Sequence, residues 1–150
     1  MIIIGIDPGA GGAMAVWDKG ISKIYKCPNS VEEMADIVKE SLLINKTKNI
    51  REVYAYMEHV HAMPGNGVVS MFSFGQNLGQ WEGILGAFEL NVQYAGPRKW
   101  MEHYDCKPGM DKKDRKRYLR GLAEELFPNI KMTFNISDAL LIANYNKETY

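Results

Sequence analysis

The feature that most constrains the fold is a short apolar run at the start of the chain that ends abruptly in an acidic, glycine-rich segment. Residues 2–6 are four isoleucines and a glycine, and residues 7–12 read Asp-Pro-Gly-Ala-Gly-Gly. A continuous apolar run of this length is typical of a strand buried on both faces of a sheet, and the Pro and Gly residues that follow indicate a turn. We therefore predict a buried strand over residues 2–6, with Asp7 at its end.

Hydrophobic spacing along the rest of the chain predicts further strands separated by helices. The predicted strands cover residues 13–18, 21–27, 53–57 and 91–95, and the predicted helices cover residues 30–43, 68–88, a short segment from Pro97, 111–126 and 136–145. This order predicts an α/β fold in which a five-stranded mixed sheet is flanked by helices. Because no repeat, low-complexity tract or linker interrupts the pattern, we expect residues 1–150 to form a single domain.

Composition limits the class of protein without identifying a partner. Lys and Arg balance Asp and Glu at 18 each, so attraction to nucleic acid must come from local clusters of charge. Cys27 and Cys106 are far apart and lack metal-site spacing, which argues against a disulfide scaffold or a zinc site and favours a reducing compartment. The first apolar run is too short to span a membrane and follows no basic leader, so we expect a cytoplasmic protein of a bacterial or phage-infected cell, with no membrane partner.

Three acidic residues lie at positions where they could form a metal-binding or catalytic site. Asp7 and Glu58 end two apolar strands, and Asp138 lies near the start of the last predicted helix. If the two strands are neighbours in one sheet, their carboxylates emerge side by side, and a helix packed beside them adds the third. Converging carboxylates suit Mg²⁺ or Mn²⁺ and metal-dependent phosphoester chemistry. Taken singly, each residue also has an ordinary structural explanation as a turn residue, a surface ion pair or a helix-start charge.

Four segments spread over nearly the whole chain resemble the RuvC-like Holliday junction resolvases, especially the short phage and bacterial branch that is also similar to the plastid junction resolvases. They are residues 4–13, 57–72, 97–100 and 137–143, in the order found in that family. The first segment is also similar to the start of actin-like sugar kinases. The second, which contains the Met-Pro-Gly-Asn-Gly sequence, is specific to the resolvases.

This resemblance implies an RNase H-like fold, a homodimer, and paired nicks across a four-way DNA junction that depend on Mg²⁺ or Mn²⁺, with two ions per active site and no small-molecule cofactor. Asp7, Glu58 and Asp138 match the metal-binding acids of the family. The family commonly has a fourth ligand, Asp or His, three residues before the last acid, and Asn135 occupies that position here. An amide oxygen can reach a metal, but it carries no charge and cannot act as a base.

Basic and aromatic residues supply the predicted DNA contacts. The segment from Lys107 to Arg120 has a local charge of +5, and its cations suit phosphate contacts that position DNA without reading bases. Phe72 and Phe74 are candidates for stacking on bases, although both cannot face the same side of one helix. The predicted DNA-binding residues are Gly65, Asn66, Ser70, Phe72, Phe74, Arg98, Lys99, Lys112, Lys113, Arg115, Lys116 and Arg117.

Several alternatives stay open at this point. Asn135 allows a junction-binding module that does not cut, and the acidic site is shared with RNase H-type hydrolases of RNA–DNA hybrids. A nucleotide-binding relative of the actin-like kinases is disfavoured because the chain has no room for the second half of that fold. Four glycines over residues 75–86 predict close packing of their helix, either against a second copy or against its own sheet, while Trp81 and Trp100 are expected in the core or the dimer interface.

Overall fold

Five strands form one mixed sheet in the computed structural model of the chain, which describes residues 1–44, 50–59, 61, 65 and 67–148. The strands are β1 (Ile2–Asp7), β2 (Ala13–Trp17), β3 (Ile21–Lys26), β4 (Val53–Glu58) and β5 (Asn91–Ala95), in the spatial order β3-β2-β1-β4-β5. The central strand β1 is antiparallel to β2 and parallel to β4, which is itself parallel to β5. The predicted sheet is confirmed, and its two acid-terminated strands are neighbours.

Helices cover both faces of this sheet. They are α1 (Val31–Ile44), α2 (Val68–Ala87), α3 (Pro97–His103), α4 (Lys112–Leu126) and α5 (Phe134–Glu148), with a 3-10 turn at Ile50–Glu52 before β4. The helices α1 and α2 pack on one face around Trp81, and α3, α4 and α5 pack on the other face around Trp100 and Leu140. Of the helices described, none has both the length and the apolar character needed to cross a membrane.

Side-chain hydrogen bonds explain where two of the helices begin. The Ser30 hydroxyl accepts a hydrogen bond from the Glu33 amide at 3.2 Å, and the Asp111 carboxylate accepts one from the Lys113 amide at 2.9 Å. Each side chain satisfies an amide that has no partner within its own helix. Both starts agree with the predictions.

The last helix starts two residues earlier than predicted. The Thr133 carbonyl accepts hydrogen bonds from the amides of Ile136 and Ser137, so the first turn closes from Phe134 rather than from residue 136. Asp138 is consequently one full turn inside α5 and not at its beginning. Asp138 therefore does not cap the helix, and its direction is determined by the way α5 packs on the sheet.

The glycines of α2 do not pack against the protein's own sheet. A Cβ atom placed on Gly75, Gly79, Gly83 or Gly86 would meet no described heavy atom within 4 Å outside the backbone of its own helix. The helix is held instead by Trp81, Ile84 and Leu85, which are buried on its opposite side. The expectation of close packing on the sheet is therefore wrong, and a glycine stripe on α2 is left exposed.

Candidate active site

The carboxylates of Asp7 and Glu58 lie side by side at one edge of the sheet. Because β1 and β4 are parallel, their carboxyl ends meet at the same edge, and the pairing of Ile6 with Met57 places the two acids in the next register position. Side chains alternate between faces along a strand, so Asp7 shares a face with Ile3 and Gly5, and Glu58 shares it with Tyr56. This is the face that α5 covers.

Gly5 allows α5 to bring Asp138 to the same place. A Cβ atom on Gly5 would lie 2.5 Å from the Ala139 carbonyl oxygen and 2.6 Å from the Ala143 nitrogen, closer than real atoms approach. The helix backbone therefore rests directly on the middle of β1, and Asp138 immediately precedes the contact. This close approach was not predicted, although an isolated glycine inside a strand is the sequence signal for one.

The three acids open into one cleft of about 890 Å³ whose lining also carries several cationic side chains. The turn over residues 8–12 and Phe74 line this cleft, as do residues from α3, α4 and the segment between them, which together we call the wall. The cationic side chains of the wall are Arg98, Lys107, Lys112, Arg115 and Lys116. A cleft with carboxylates on its floor and cations on its wall suits an anionic substrate that is held beside a bound cation.

Burial and mutual repulsion raise the pKa of each floor carboxyl. Desolvation lifts the pKa of Asp7 well above its ordinary value, and the charges of Glu58 and Asp138 add to the rise. Burial, with a further contribution from Asp138, raises the pKa of Glu58 to about 7. The pKa of Asp138 is raised by burial, although the Ser137 hydroxyl and two nearby cations oppose the change. Burial therefore favours the neutral form of each floor carboxyl, and a bound cation would favour the ionised form.

Trp100 makes a direct hydrogen bond to the floor of the cleft. Its indole Nε1 donates to Glu58 Oε1 at 3.1 Å, and its ring is completely buried. The expectation that Trp81 and Trp100 belong to the core is confirmed for both. The contact of Trp100 with Glu58 was not predicted, because sequence spacing carries no information about which way an indole N–H points.

The turn after β1 is held in shape by α2. The Gly9 amide donates to Asn77 Oδ1 at 2.7 Å, and Phe74 packs at 3.4 Å from the position that a Gly9 Cβ would take. Gly12 closes the turn by donating to the Gly9 carbonyl at 2.9 Å, and any side chain there would collide with the backbone of Asp7. The role of Asn77 was not predicted, since nothing in the local sequence distinguishes it from an exposed helix residue.

Asn135 lies beside the cleft and does not line it. Its amide nitrogen donates to the Gly11 carbonyl at 2.8 Å, and the residue is exposed. The hydrogen bond turns the amide group toward the glycine-rich turn. The structure therefore gathers three of the four predicted ligands in the cleft and places the fourth at its margin.

The predicted basic surface divides into two sets. Arg98, Lys112, Arg115 and Lys116 line the cleft, whereas Lys99, Lys113 and Arg117 are exposed outside it. Two of these cations already have carboxylate partners, because Arg98 pairs with Glu102 at 2.7 Å and Arg117 pairs with Asp114 at 3.6 Å. Only the first set shares a cavity with the acids, which the basic run in the sequence did not reveal.

The predicted contacts before and within α2 also divide. Phe74 lines the cleft, while Ser70 and Phe72 are exposed on α2, with 73% of Phe72 accessible to solvent. Gly65 is exposed with a φ of +89°, and Asn66 lies outside the described residues. One phenylalanine at the cleft and one pointing to solvent agree with the prediction that the two face different sides.

The carboxylate oxygens of the cleft are of the chemical type that binds a hard divalent cation. Carboxylate oxygens are the ligands that Mg²⁺ and Mn²⁺ prefer, and three carboxyl side chains line this cleft. Among the residues that the structure describes, no three His, Cys, Asp or Glu side chains stand close enough together to hold an ion between them.

No protein-family model matches the chain, and no curated protein matches it. Its fold is similar to that of RuvC from Thermus thermophilus, with a TM-score of 0.63 at 16% sequence identity over 99% of this chain and 96% of RuvC. A structure of T. thermophilus RuvC in complex with Holliday junction substrate gives the same TM-score, identity and coverage. The RNase H-like α/β fold and the likeness to RuvC implied by the sequence motifs are thus confirmed, and at this identity the likeness concerns the fold.

Proposed function

We propose that this chain is an endonuclease that resolves four-way DNA junctions by metal-dependent hydrolysis of phosphodiester bonds. The observation that carries the proposal is the meeting of Asp7, Glu58 and Asp138 in one cleft that cationic side chains also line. A phosphodiester backbone matches both sides of such a cleft, since it is anionic and is itself a ligand for divalent cations. The likeness of the fold to a RuvC that was solved with a Holliday junction substrate supports branched DNA as the target.

In the proposed reaction the cations of the cleft bind the DNA and the carboxylates bind the metal. Arg115 and Lys116 bind phosphate oxygens and hold the backbone over the floor, where Asp7, Glu58 and Asp138 supply the ligands for Mg²⁺ or Mn²⁺, two ions per site. When bound, these ions supply Lewis-acid activation of water and of the phosphate. The buried floor keeps the carboxylates in place, because their backbone positions are fixed by the sheet and by α5.

We also propose a homodimer, because two symmetric cuts on a nearly two-fold substrate require two sites. The exposed start of α2 supports an interface there: Val68 is 84% accessible, Val69 is 79% accessible, and the glycine stripe follows on the same helix. Sedimentation equilibrium should give twice the 17.0 kDa mass of one chain. A monomer at the concentrations that cut junctions would exclude this arrangement.

The test compares three end-labelled substrates, a four-way junction, a linear duplex and an RNA–DNA hybrid, each with Mg²⁺, Mn²⁺ or EDTA. We expect symmetric nicks on the junction alone, only when metal is present. Cutting of the hybrid without preference for the junction would contradict the proposal and identify an RNase H-type hydrolase instead.

One observation favours a second candidate, a junction-binding module that does not cut. Asn135 adds no negative charge at the position where the family that the sequence resembles commonly has Asp or His, and its amide is bound to the Gly11 carbonyl. Tight junction binding without nicks in either metal would support this candidate. Restoration of cutting by Asn135→Asp would then show that the missing charge is the cause.

A further inference from the structure

We infer that Trp100 is a positioning residue for the proposed nuclease site, acting through Glu58. The inference rests on the proposed function, because it concerns how one floor carboxylate is oriented toward the metal. Trp100 is completely buried, and its indole N–H, the single polar group of the side chain, donates to Glu58 Oε1 at 3.1 Å. The indole contacts one carboxylate oxygen, and the other would remain available to hold a metal.

The position of this indole is fixed by the path of the chain. The His59 amide beyond β4 donates to the Ala95 carbonyl at the end of β5, so the two strands are still paired where the site begins. Gly96 and Pro97 start α3 directly after β5, and the Trp100 amide closes the first turn on the Gly96 carbonyl. Trp100 is thus placed over the carboxyl end of the neighbouring strand.

The other end of α3 is anchored as well. The Tyr104 hydroxyl donates to the Leu141 carbonyl at 2.9 Å and accepts a hydrogen bond from Asn144 at 3.0 Å, both on α5. The same helix, α5, carries Asp138. Trp100 therefore belongs to a rigid connection between two of the floor carboxylates, whereas an unrestrained Glu58 side chain has three rotatable bonds. Groups that orient metal ligands in this way typically change metal affinity or activity about 10- to 100-fold when removed.

A second tryptophan offers a matched control. Trp81 is as completely buried as Trp100, but it lies on the opposite face of the sheet, and its Nε1 has no hydrogen-bond partner among the described residues. Substitution by phenylalanine keeps most of the ring volume and removes the N–H at both positions. Only at Trp100 does the removed group contact the site.

The experiment measures Mn²⁺ affinity, by calorimetry and by metal-induced thermal stabilisation, for the full chain and for Trp100→Phe and Trp81→Phe. We expect Trp100→Phe to weaken Mn²⁺ binding by about 10-fold or more and Trp81→Phe to leave it within about twofold. Junction affinity should not change, while the turnover number of Trp100→Phe falls with its metal affinity. Equal Mn²⁺ affinity in the two variants would overturn the role of Trp100.

A measurement on the unsubstituted chain covers the case in which Trp100→Phe does not fold. The chain has three tryptophans, so ¹⁵N labelling gives three indole N–H signals, which are followed during Mg²⁺ addition. The Trp100 signal should shift with the metal-binding midpoint, and the Trp81 signal should stay. A stationary Trp100 signal, or a chain that binds no metal, overturns the inference. Metal binding with a shifting signal but no junction cutting overturns the proposed function alone.

Discussion

The two sides of the cleft are built in different ways. The floor carboxylates stand on strand ends and on a helix whose backbone touches β1, and all three are partly buried. The wall cations stand on long side chains, and Lys112 and Lys116 of α4 are exposed to solvent. Rigid placement suits groups that must meet ions and a reacting phosphate at fixed distances, while long exposed side chains adapt to a backbone of variable shape. In the proposed nuclease, reaction and substrate binding are therefore assigned to different parts of one cleft.

The sharpest test of this division removes one floor carboxylate. Asp7→Asn keeps the shape of the side chain and deletes a metal ligand, so we expect junction cutting to fall about 10³-fold or more, equal to about 4 kcal/mol of transition-state stabilisation. Junction binding should persist, because the wall is intact. Asp36→Asn, on an exposed residue of α1, is the matched control and should cut normally. Strong residual cutting by Asp7→Asn in Mg²⁺ would break the assignment of reaction to the floor.

The floor should also control how stability depends on pH. The pKa of Glu58 is about 7 in the folded chain against an ordinary 4.5, so the folded state binds the proton more tightly than the unfolded state. The contribution of Glu58 to the free energy of unfolding is therefore complete below about pH 4.5. It is lost as the pH rises through about 7, and the loss is on the order of 3 kcal/mol. The raised pKa values of Asp7 and Asp138 act in the same direction.

Denaturant unfolding without metal at pH 5 and pH 8 measures this slope. Glu58→Gln cannot ionise and should unfold at nearly the same denaturant concentration at both pH values, apart from the contribution of the other acids. Saturating Mg²⁺ should flatten the slope of the unsubstituted chain by favouring the ionised carboxylates. A metal-free chain that becomes more stable between pH 5 and pH 8 would contradict this view of the floor.

The floor was predictable from the sequence to a larger extent than the wall. The sequence places Asp7 and Glu58 at the ends of two apolar strands, and the pairing of β1 with β4, which was assumed in the prediction, brings both side chains to one edge. The strand and helix bounds follow from the same hydrophobic periods. Such patterns are local, because a continuous apolar run predicts a strand buried on both faces whichever strands become its neighbours.

Orientation across the cleft depends on tertiary contacts that no local pattern encodes. The cations of α4 are spread over about half of the helix circumference, and only the packing of Leu119 and Ala123 against the core decides that Lys116 points into the cleft and Lys113 does not. The hydrogen bond of Trp100 and that of Asn77 are contacts over 42 and 68 residues. The start of α5 was placed late because Ser137 and Asp138 look like helix-start residues.

Asn135→Asp tests whether residue 135, at the margin of the cleft, can contribute to the metal site on the floor. In the metal-free chain an aspartate cannot donate to the Gly11 carbonyl, and its oxygens face that carbonyl instead, so we expect unfolding to become easier by about 1–2 kcal/mol. Added Mg²⁺ should stabilise this variant more than the unsubstituted chain, because a fourth carboxylate joins the site. The thermal midpoint with and without Mg²⁺ measures both effects, and Asn129→Asp, on an exposed residue outside the cleft, is the control. An unchanged metal response would place Asn135 outside the site.

The smallest expected effect separates the wall from the rest of the basic helix. Lys116 lines the cleft and its charge lowers the pKa of Asp7 and Asp138, whereas Lys113, three residues earlier on the same helix, is exposed outside the cleft. Lys116→Gln should weaken junction binding about tenfold by loss of one charged phosphate contact, and should reduce the salt dependence of binding by about one unit of slope. Lys113→Gln removes the same charge and should change affinity by about twofold or less. Binding titrations over a range of salt concentrations distinguish the two, and equal losses would mean that the whole exposed surface of α4, and not the wall alone, binds DNA.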